Sequence, residues 1–363
     1  MRVAMNQPLT IPSTRPSASA PRADHLTQAR RVLWGVGWVW LALALVLAWL
    51  DRDGRWMEPG REGAVLIKLW IFWAVWAVLP WWGAALLGLR HAAGRSPRGL
   101  AWLAALTLVA YSGLLEPRLL TVREHRVQVP GLAQSPAQPL RLALVADVHA
   151  GLFVRDWQVQ RLVDRLNALD VDAVVVAGDW TYDPPRDLHA ALQPFARLRH
   201  PVWGVLGNHD TAAPGPPLAQ ALRQALQNHG VQLLDGRRLR WRGWDVVGLS
   251  DRWGGDPRSE AARLLPPDSP TAPRLVLAHQ PDTATLLPAG SASLVLSGHT
   301  HGGQITLPWL TRHWVLPGMS EQGWFEGLHA TPAGPLFVTT GVGTIGLPAR
   351  LAVVPRIDVL VLH

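Results

Sequence analysis

The chain has 363 residues, enough for one large domain and an additional module. It contains no cysteine, which excludes disulfides and thiolate metal sites and leaves the compartment open. The net charge of +8 divides unevenly: residues 1–116 carry 12 basic and 6 acidic side chains, residues 117–363 carry 22 and 20, so the larger part lacks the basic footprint of a nucleic-acid binder.

Hydrophobic residues make up 48% of the chain, and the mean hydropathy of +0.11 is high for a wholly soluble enzyme. The excess lies near the N-terminus. Residues 1–29 are rich in Pro, Ser and Ala and predict a disordered tail. Residues 30–116 predict an all-α transmembrane module with helices at 32–50, 69–89 and 99–115. These stretches hold 19, 21 and 17 uncharged residues, against about 20 needed to cross a bilayer. The third is at the short end and could instead lie on the membrane face. Trp34, Trp38, Trp40, Trp49, Trp70, Trp81, Trp82 and Trp102 fall in these stretches, many near the ends, where indoles favour the interface. Pro80 predicts a kink in the second stretch. Lys68 is an isolated charge at its edge.

The flanking charges give a topology. The tail carries Arg2, Arg15, Arg22, Arg30 and Arg31; the second loop carries Arg90, Arg95 and Arg98 without an acid. The first loop, 51–62, has three arginines against four acids. The positive-inside rule places the tail and second loop in the cytoplasm. With three spans, the chain is a multi-pass protein of the inner (plasma) membrane, and residues 117–363 face the outer, periplasmic side. Arg30-Arg31 reads as an anchor for the first helix rather than an export signal.

Glu116-Pro117 ends the last helix. Residues 121–129 predict an opening strand, 130–139 a loop, and thereafter apolar strand-like runs alternate with helix-like segments such as 157–169 and 218–229. The pattern is that of a layered α/β domain.

Short motifs follow the apolar runs. They read Asp147-Val-His149, Gly178-Asp179, Gly207-Asn208-His209-Asp210, Ala278-His279 and Gly298-His299-Thr300-His301-Gly302-Gly303. If the chain stays extended past Ala146, Asp147 and His149 point to one side and can grip one ion. Carboxylates, an amide oxygen and imidazoles gathered at neighbouring strand ends suit two divalent cations that share a carboxylate, a device for hydrolysing phosphate esters. The ligand types fit manganese, iron, zinc or, less well, magnesium. Of the fourteen histidines, the nine outside these motifs read as surface or linker residues.

On these motifs the chain resembles the calcineurin-like metallophosphoesterase superfamily, in particular its bacterial branch with transmembrane helices before the phosphoesterase domain. The resemblance runs from about residue 121 to 363 and extends to His279-Gln-Pro-Asp282, Gln304 and the segment 341–350. It implies a two-sheet sandwich flanked by helices. It also implies that Asp147, His149 and His301 hold a first metal, that Asn208, His279 and His299 hold a second, and that Asp179 bridges them. His209 would face the substrate and either protonate the leaving oxygen or bind a developing negative charge; Asp210 either orients it or caps the loop. The branch often has Pro-Glu-Ile where this chain has Pro355-Arg356-Ile357, which puts a salt bridge there in doubt.

The expected activity is that of a membrane-anchored phosphodiesterase or pyrophosphatase, attacking with water activated between two divalent ions. Its substrate is a phosphate ester, lipid-linked or from the envelope, and membrane lipids are its other partners; no nucleic acid is expected. The alternatives are a phosphomonoesterase and a UDP-2,3-diacylglucosamine pyrophosphatase-like enzyme of lipid A assembly, the latter at odds with the topology. A non-catalytic scaffold is argued against by the complete ligand set. Trp180, Tyr182 and Asp183 could line the pocket or pack its loop. Arg252 and Arg258 could clamp a second phosphate, and Trp309, Trp314, Trp324 and Phe325 could reach the membrane interface.

Overall fold

The computed structural model describes residues 21–52, 62–130, 132, 139–211, 218–266, 272–307, 309 and 311–363. Residues 1–20 of the expected tail, and most of the 130–139 loop, lie outside the described residues. Helix α1 (Pro21–Asp51) already takes up residues 21–29, so that part of the tail is helical. α2 (Glu62–Ala74) and α3 (Val78–Gly88) are separated by a tight 3-10 turn, Val75–Ala77. The break falls just before Pro80, which has no N–H to return to the preceding turn. α4 (Pro97–Ala110) begins on Ser96, whose hydroxyl accepts from Gly99 N. It runs through a wider turn, Tyr111–Leu115, and stops at the Pro-containing turn Glu116–Arg118.

Among the described residues, three helices are long and apolar enough to cross a membrane: His25–Asp51, Gly63–Gly88 and Pro97–Arg118, with 27, 26 and 22 residues. Their outer faces expose Trp38, Val39 and Ile67 at 60–68%, a surface suited to lipid rather than water. Several tryptophans expected at the interface are instead inter-helix contacts. Trp40, Trp70 and Trp82 donate their indole N–H to Trp73 O, Leu41 O and Thr107 Oγ1. In an apolar environment those donors would otherwise go unpaired.

The remaining chain folds as two six-stranded sheets. The strands are β1 (Thr121–Val127), β2 (Leu140–Val145), β3 (Ala150–Gly151), β4 (Ala173–Ala177), β5 (Thr181–Tyr182), β6 (Val202–Val205) and β7 (Val231–Leu233). They continue with β8 (Arg237–Trp241), β9 (Trp244–Gly248), β10 (Arg274–Leu277), β11 (Leu294–Ser297), β12 (Gly327–Thr331), β13 (Gly334–Val338) and β14 (Arg356–Leu362). The helices among them are α5 (Asp156–Asn167), α6 (Leu188–Leu192), α7 (Asn208–Thr211), α8 (Ala219–Asn228) and α9 (Pro257–Leu264). Sheet order is β1-β14-β2-β4-β6-β7 and β12-β13-β11-β10-β9-β8, with β3 paired to β5 apart from them.

Leu142, Leu144, Val175 and Val205 face Val246, Leu275, Leu277 and Leu296 across the space between the sheets. Ala143, Val145, Val174 and Val176 on the other face pack under Leu162 and Leu166 of α5 and Leu222 and Leu226 of α8. Residues 173–177 are therefore buried on both faces, which is why that run is wholly apolar. The two-sheet sandwich flanked by helices is realised. Arg356, which replaces an expected acid, is 2.6 Å from the buried Asp358, which also pairs with His125 at 2.8 Å. His125 and the buried His229, bonded to His189 O, are therefore packing residues rather than surface ones.

All three spans meet the sandwich at one end of the module. Asp51 at the end of α1 pairs with Arg155 at 2.7 Å. From α2, Leu69 and Val65 pack on Leu152, Phe153 and Tyr182. After α4, Ser112 O accepts from Arg350 N, and the buried Glu116 accepts from Val353 N.

Candidate metal centre

The parallel strands β2, β4 and β6 end side by side, as do β10 and β11 of the second sheet. Each motif sits just past one of these ends. Asp147 and His149 do not continue extended. Their φ angles are 53° and 51°, and Asp179, His299 and His301 are also left-handed, at 54°, 73° and 50°. Five of the seven expected ligands thus occupy a conformation uncommon for residues with a Cβ, as strained functional backbones often do. The ladder is kept through these turns: Asp147 N donates to Gly178 O and His149 N to Asp179 O. Gly178 has φ 91°, and a Cβ there would lie 2.5 Å from His279 Nδ1. A Cβ on Gly207 would lie 2.1 Å from Asp179 Oδ1.

The structure brings all seven residues together. Asp147, His149 and His301 form one group able to hold a cation; Asp147, Asp179 and His279 form another. Asn208 Oδ1 lies 2.9 Å from His279 Nε2 and 3.0 Å from His299 Nδ1. Asp179 Oδ2 is 3.2 Å from His279 Nε2 and 3.7 Å from His149 Nε2, between the two groups.

The donor set fits divalent cations on its own geometry. His279 Nδ1 and His149 Nδ1 face the carbonyls of Ala177 and Thr181 at 2.8 and 3.3 Å. A proton on that side leaves each Nε2 free to face a bound ion. His149 Nε2 then meets His301 Nε2 at 3.0 Å, and His279 Nε2 meets His299 Nδ1 at 3.3 Å. Each contact needs either a proton or a cation between its two nitrogens.

Electrostatics sets the protonation of the metal-free site. Burial pushes His149 and His299 down to about 3 and His301 well below its ordinary value, so these rings are neutral. Burial raises Asp147 to about 7. Burial also opposes ionisation of Asp179, but the imidazoles of His279 and His149 outweigh it and hold that carboxyl far below the usual range. His279, although buried, is raised to about 10 by Asp179.

His209 lies on α7, its N–H donating to Asp179 Oδ1 at 3.0 Å. Its ring meets His149 and Tyr182 edge-on, 5.2 Å between centres in both cases. Asp210 takes the loop-capping place of its two expected ones. Its carboxylate accepts from Trp180 N, Thr181 N, Thr181 Oγ1 and Gly207 N at 2.9–3.0 Å. It ties the Asp179 loop to the Gly207 turn instead of orienting the ring of His209, because four inward-facing donors claim its oxygens.

The other aromatic and basic candidates separate. Trp180 is fully buried, with its indole on Val205 O, and packs the loop. Tyr182 stands at the site. Arg252 lines a polar cavity of about 120 Å³ beside His299, with Gln280, Asp282 and Glu321; Arg258 does not line it. Asp282 accepts from Ser320 Oγ and Glu321 N at 2.6 and 2.8 Å, which accounts for the His279-Gln-Pro-Asp282 motif. Trp309 is 67% exposed, whereas Trp324 packs on the second sheet; the side chain of Trp314 lies outside the described residues.

Two residues at the centre were not read from the sequence as site residues. Arg350 is fully buried and donates to Gly343 O, Val353 O and Thr340 O. Its guanidinium faces His301 Nδ1 at 3.3 Å. Burial lowers its pKa to about 10, which leaves it charged at neutral pH. Lys68 pairs with Asp183 and lies 4.5 Å from the centre of the Tyr182 ring. Arg350 sat inside a quoted motif, and Lys68 was visible as an isolated charge, but neither contact is local in sequence.

Residues 140–303 match the Calcineurin-like phosphoesterase family. The chain is 27% identical over 263 residues to the uncharacterized metallophosphoesterase YkuE of Bacillus subtilis, covering 69% of this chain and 88% of that protein. It is equally identical to phosphodiesterase YaeI of Escherichia coli, covering 69% of this chain and 91% of that one. A zebrafish (Danio rerio) transmembrane protein with metallophosphoesterase domain is 30% identical over 231 residues, 59% of this chain and 51% of its own length.

Proposed function

We propose, from the premise that this chain carries a calcineurin-like metallophosphoesterase domain and is a metal-dependent phosphate-ester hydrolase, that it is a membrane-anchored enzyme of phosphodiester or pyrophosphate bonds. The observation that carries this reading is the convergence of seven oxygen and imidazole donors at the ends of five strands.

Asp147, His149 and His301 would hold one divalent ion, Asn208, His279 and His299 a second, and Asp179 both. When bound, such ions activate water and offset phosphoryl charge. Asp179 fixes the turn that presents His209, and His209 donates a proton to the leaving oxygen. Burial lowers the pKa of His209, so the proton it donates would have to be gained once the anionic substrate is bound beside it. Arg252 binds the outlying part of the substrate in the cavity beside His299.

Packing and charge together support one side of the membrane for the catalytic domain. The ends of α1 and α4 and the start of α2 all lie against the sandwich. The end of α1 and the start of α2 therefore share a side with the sandwich, opposite Arg30, Arg31, Arg90, Arg95 and Arg98. That supports an inner-membrane protein with its catalytic domain outside, and a substrate drawn from phospholipid or envelope polymer. A nucleotide-linked lipid would need the other side.

The test is hydrolysis of bis-p-nitrophenyl phosphate by the full chain in detergent, stripped of metal and then given manganese, iron, zinc or magnesium. Turnover that needs the cation, disappears in Asp179→Asn and exceeds p-nitrophenyl phosphate turnover is expected. A folded, metal-loaded protein inert toward the diester would overturn the proposal.

A further inference from the structure

Lys68 is the one charged residue in the span Gly63–Gly88. A charge in such a segment is costly, and by default points to a partner or a functional site. Its ammonium pairs with Asp183 and covers the ring of Tyr182 at 4.5 Å. That ring meets His209 and His149 at 5.2 and 5.6 Å. A side chain of the membrane module thus stands one aromatic ring away from the metal centre.

The pair is lopsided. Lys68 keeps 26% of its side chain exposed, Asp183 only 7%. The accessible side of the pair is therefore the ammonium, which has three donors to distribute. Anchoring the module does not depend on it: Asp51–Arg155 and the cluster of Val65, Leu69, Leu152 and Phe153 join the same surfaces. The surroundings are apolar and open. Ile67, beside Lys68, is 60% exposed. Ile345 packs against the same cluster and is held by Gln304, three residues past His301. Leu347, just beyond, is 49% exposed.

We infer that Lys68 binds a non-bridging phosphate oxygen of an anionic membrane phospholipid, whose diester reaches the metal centre from the bilayer side. This rests on the diesterase reading above and adds its substrate class. The acyl chains stay along the exposed face of α2, while the phosphate passes Tyr182 toward His209.

The experiment compares phosphatidylglycerol in mixed micelles with bis-p-nitrophenyl phosphate, using the metal-loaded full chain. Lys68→Met is expected to lower the ratio of the two kcat/KM values about tenfold, the worth of a charge-assisted hydrogen bond, and Lys68→Arg to preserve it. Lys68→Met combined with Asp183→Asn removes both charges and is expected to show the same fall. An unchanged ratio in Lys68→Met, or recovery in the double variant, overturns the inference, because Lys68 would then only neutralise Asp183. Wild type active on the soluble diester but not on the phospholipid also overturns it and leaves the diesterase reading intact. Wild type inert on both sinks the diesterase reading. Native mass spectrometry with equal phosphatidylglycerol and phosphatidylcholine then decides the inference: preferential phosphatidylglycerol adducts lost in Lys68→Met support it, and identical adducts in both proteins overturn it.

Discussion

The two sheets of the sandwich bring different chemistry to the same point. The first contributes Asp147, Asp179 and Asn208 with a single imidazole ligand, His149; the second contributes only imidazoles, His279, His299 and His301. Each set is held by the other sheet. Asp147 accepts from His299 N at 3.0 and 3.2 Å, and His279 Nδ1 faces Ala177 O at 2.8 Å. The centre is therefore the seam of the sandwich, and damage on either side reaches both. What differs is the kind of damage: oxygen donors carry the charge that bound ions neutralise, while imidazoles set geometry and affinity.

The largest expected effect is on the shared carboxylate. Asp179→Asn removes the carboxylate proposed to serve both ions, and diester turnover should fall by at least about 10³-fold at any metal concentration. Full recovery with added manganese would show that Asp179 is no different in kind from the imidazoles. His209→Ala lies on the first sheet's side but is no ligand. Its kcat should drop about 10²-fold while metal content, measured by inductively coupled plasma mass spectrometry, stays at the wild-type level. Metal loss in that variant would assign His209 to the centre itself. From the second sheet, His299→Ala should weaken metal affinity about 100-fold or more, with much of the turnover returning in excess cation. No change in the metal titration would remove His299 from the ligand set.

Smaller effects concern stability. Gly207→Ala places a Cβ against Asp179 Oδ1, and should cost about 1–3 kcal/mol in denaturant unfolding together with part of the metal affinity. Wild-type values for both would mean that the turn has slack. The pH dependence of the metal-free protein has a sign that can be worked out. His149 has its pKa lowered by burial to about 3, against about 6.5 when unfolded. Its contribution to stability is present above about 6.5 and lost as pH falls toward 3. Asp210, raised by burial to about 7, acts oppositely: its contribution is full below about 3.8 and lost as pH rises through 7. The lowered imidazoles His149, His209, His299 and His301 outnumber the raised carboxyls Asp147, Asp210 and Asp235, and His279 stays protonated in the folded state over this range, so the midpoint of thermal unfolding should fall from pH 6.5 to pH 4. His149→Gln should flatten that slope by up to about 1.4 kcal/mol per pH unit. Equal slopes in both proteins would contradict the burial of a neutral ring.

The sequence by itself determined the parts. Uncharged runs near the bilayer thickness marked three helices, because lipid admits few charges. Apolar runs such as 173–177 marked strands covered on both faces. The residues just past them marked the candidate ligands, because metal chemistry restricts which side chains can serve. Tertiary structure decided how those parts meet. An extended chain after Ala146 would have been the simplest way to align Asp147 with His149, yet both are left-handed, since the ladder to Gly178 and Asp179 had to continue. Asp210 looked like a partner for the neighbouring histidine, but four donors from two loops reached it first. Tryptophans that composition would put at the interface bond to other helices. Lys68 and Arg350 join the centre through contacts spanning 115 and 49 residues of chain. Motif and periodicity report what a residue can do; only packing brings together groups so far apart along the chain.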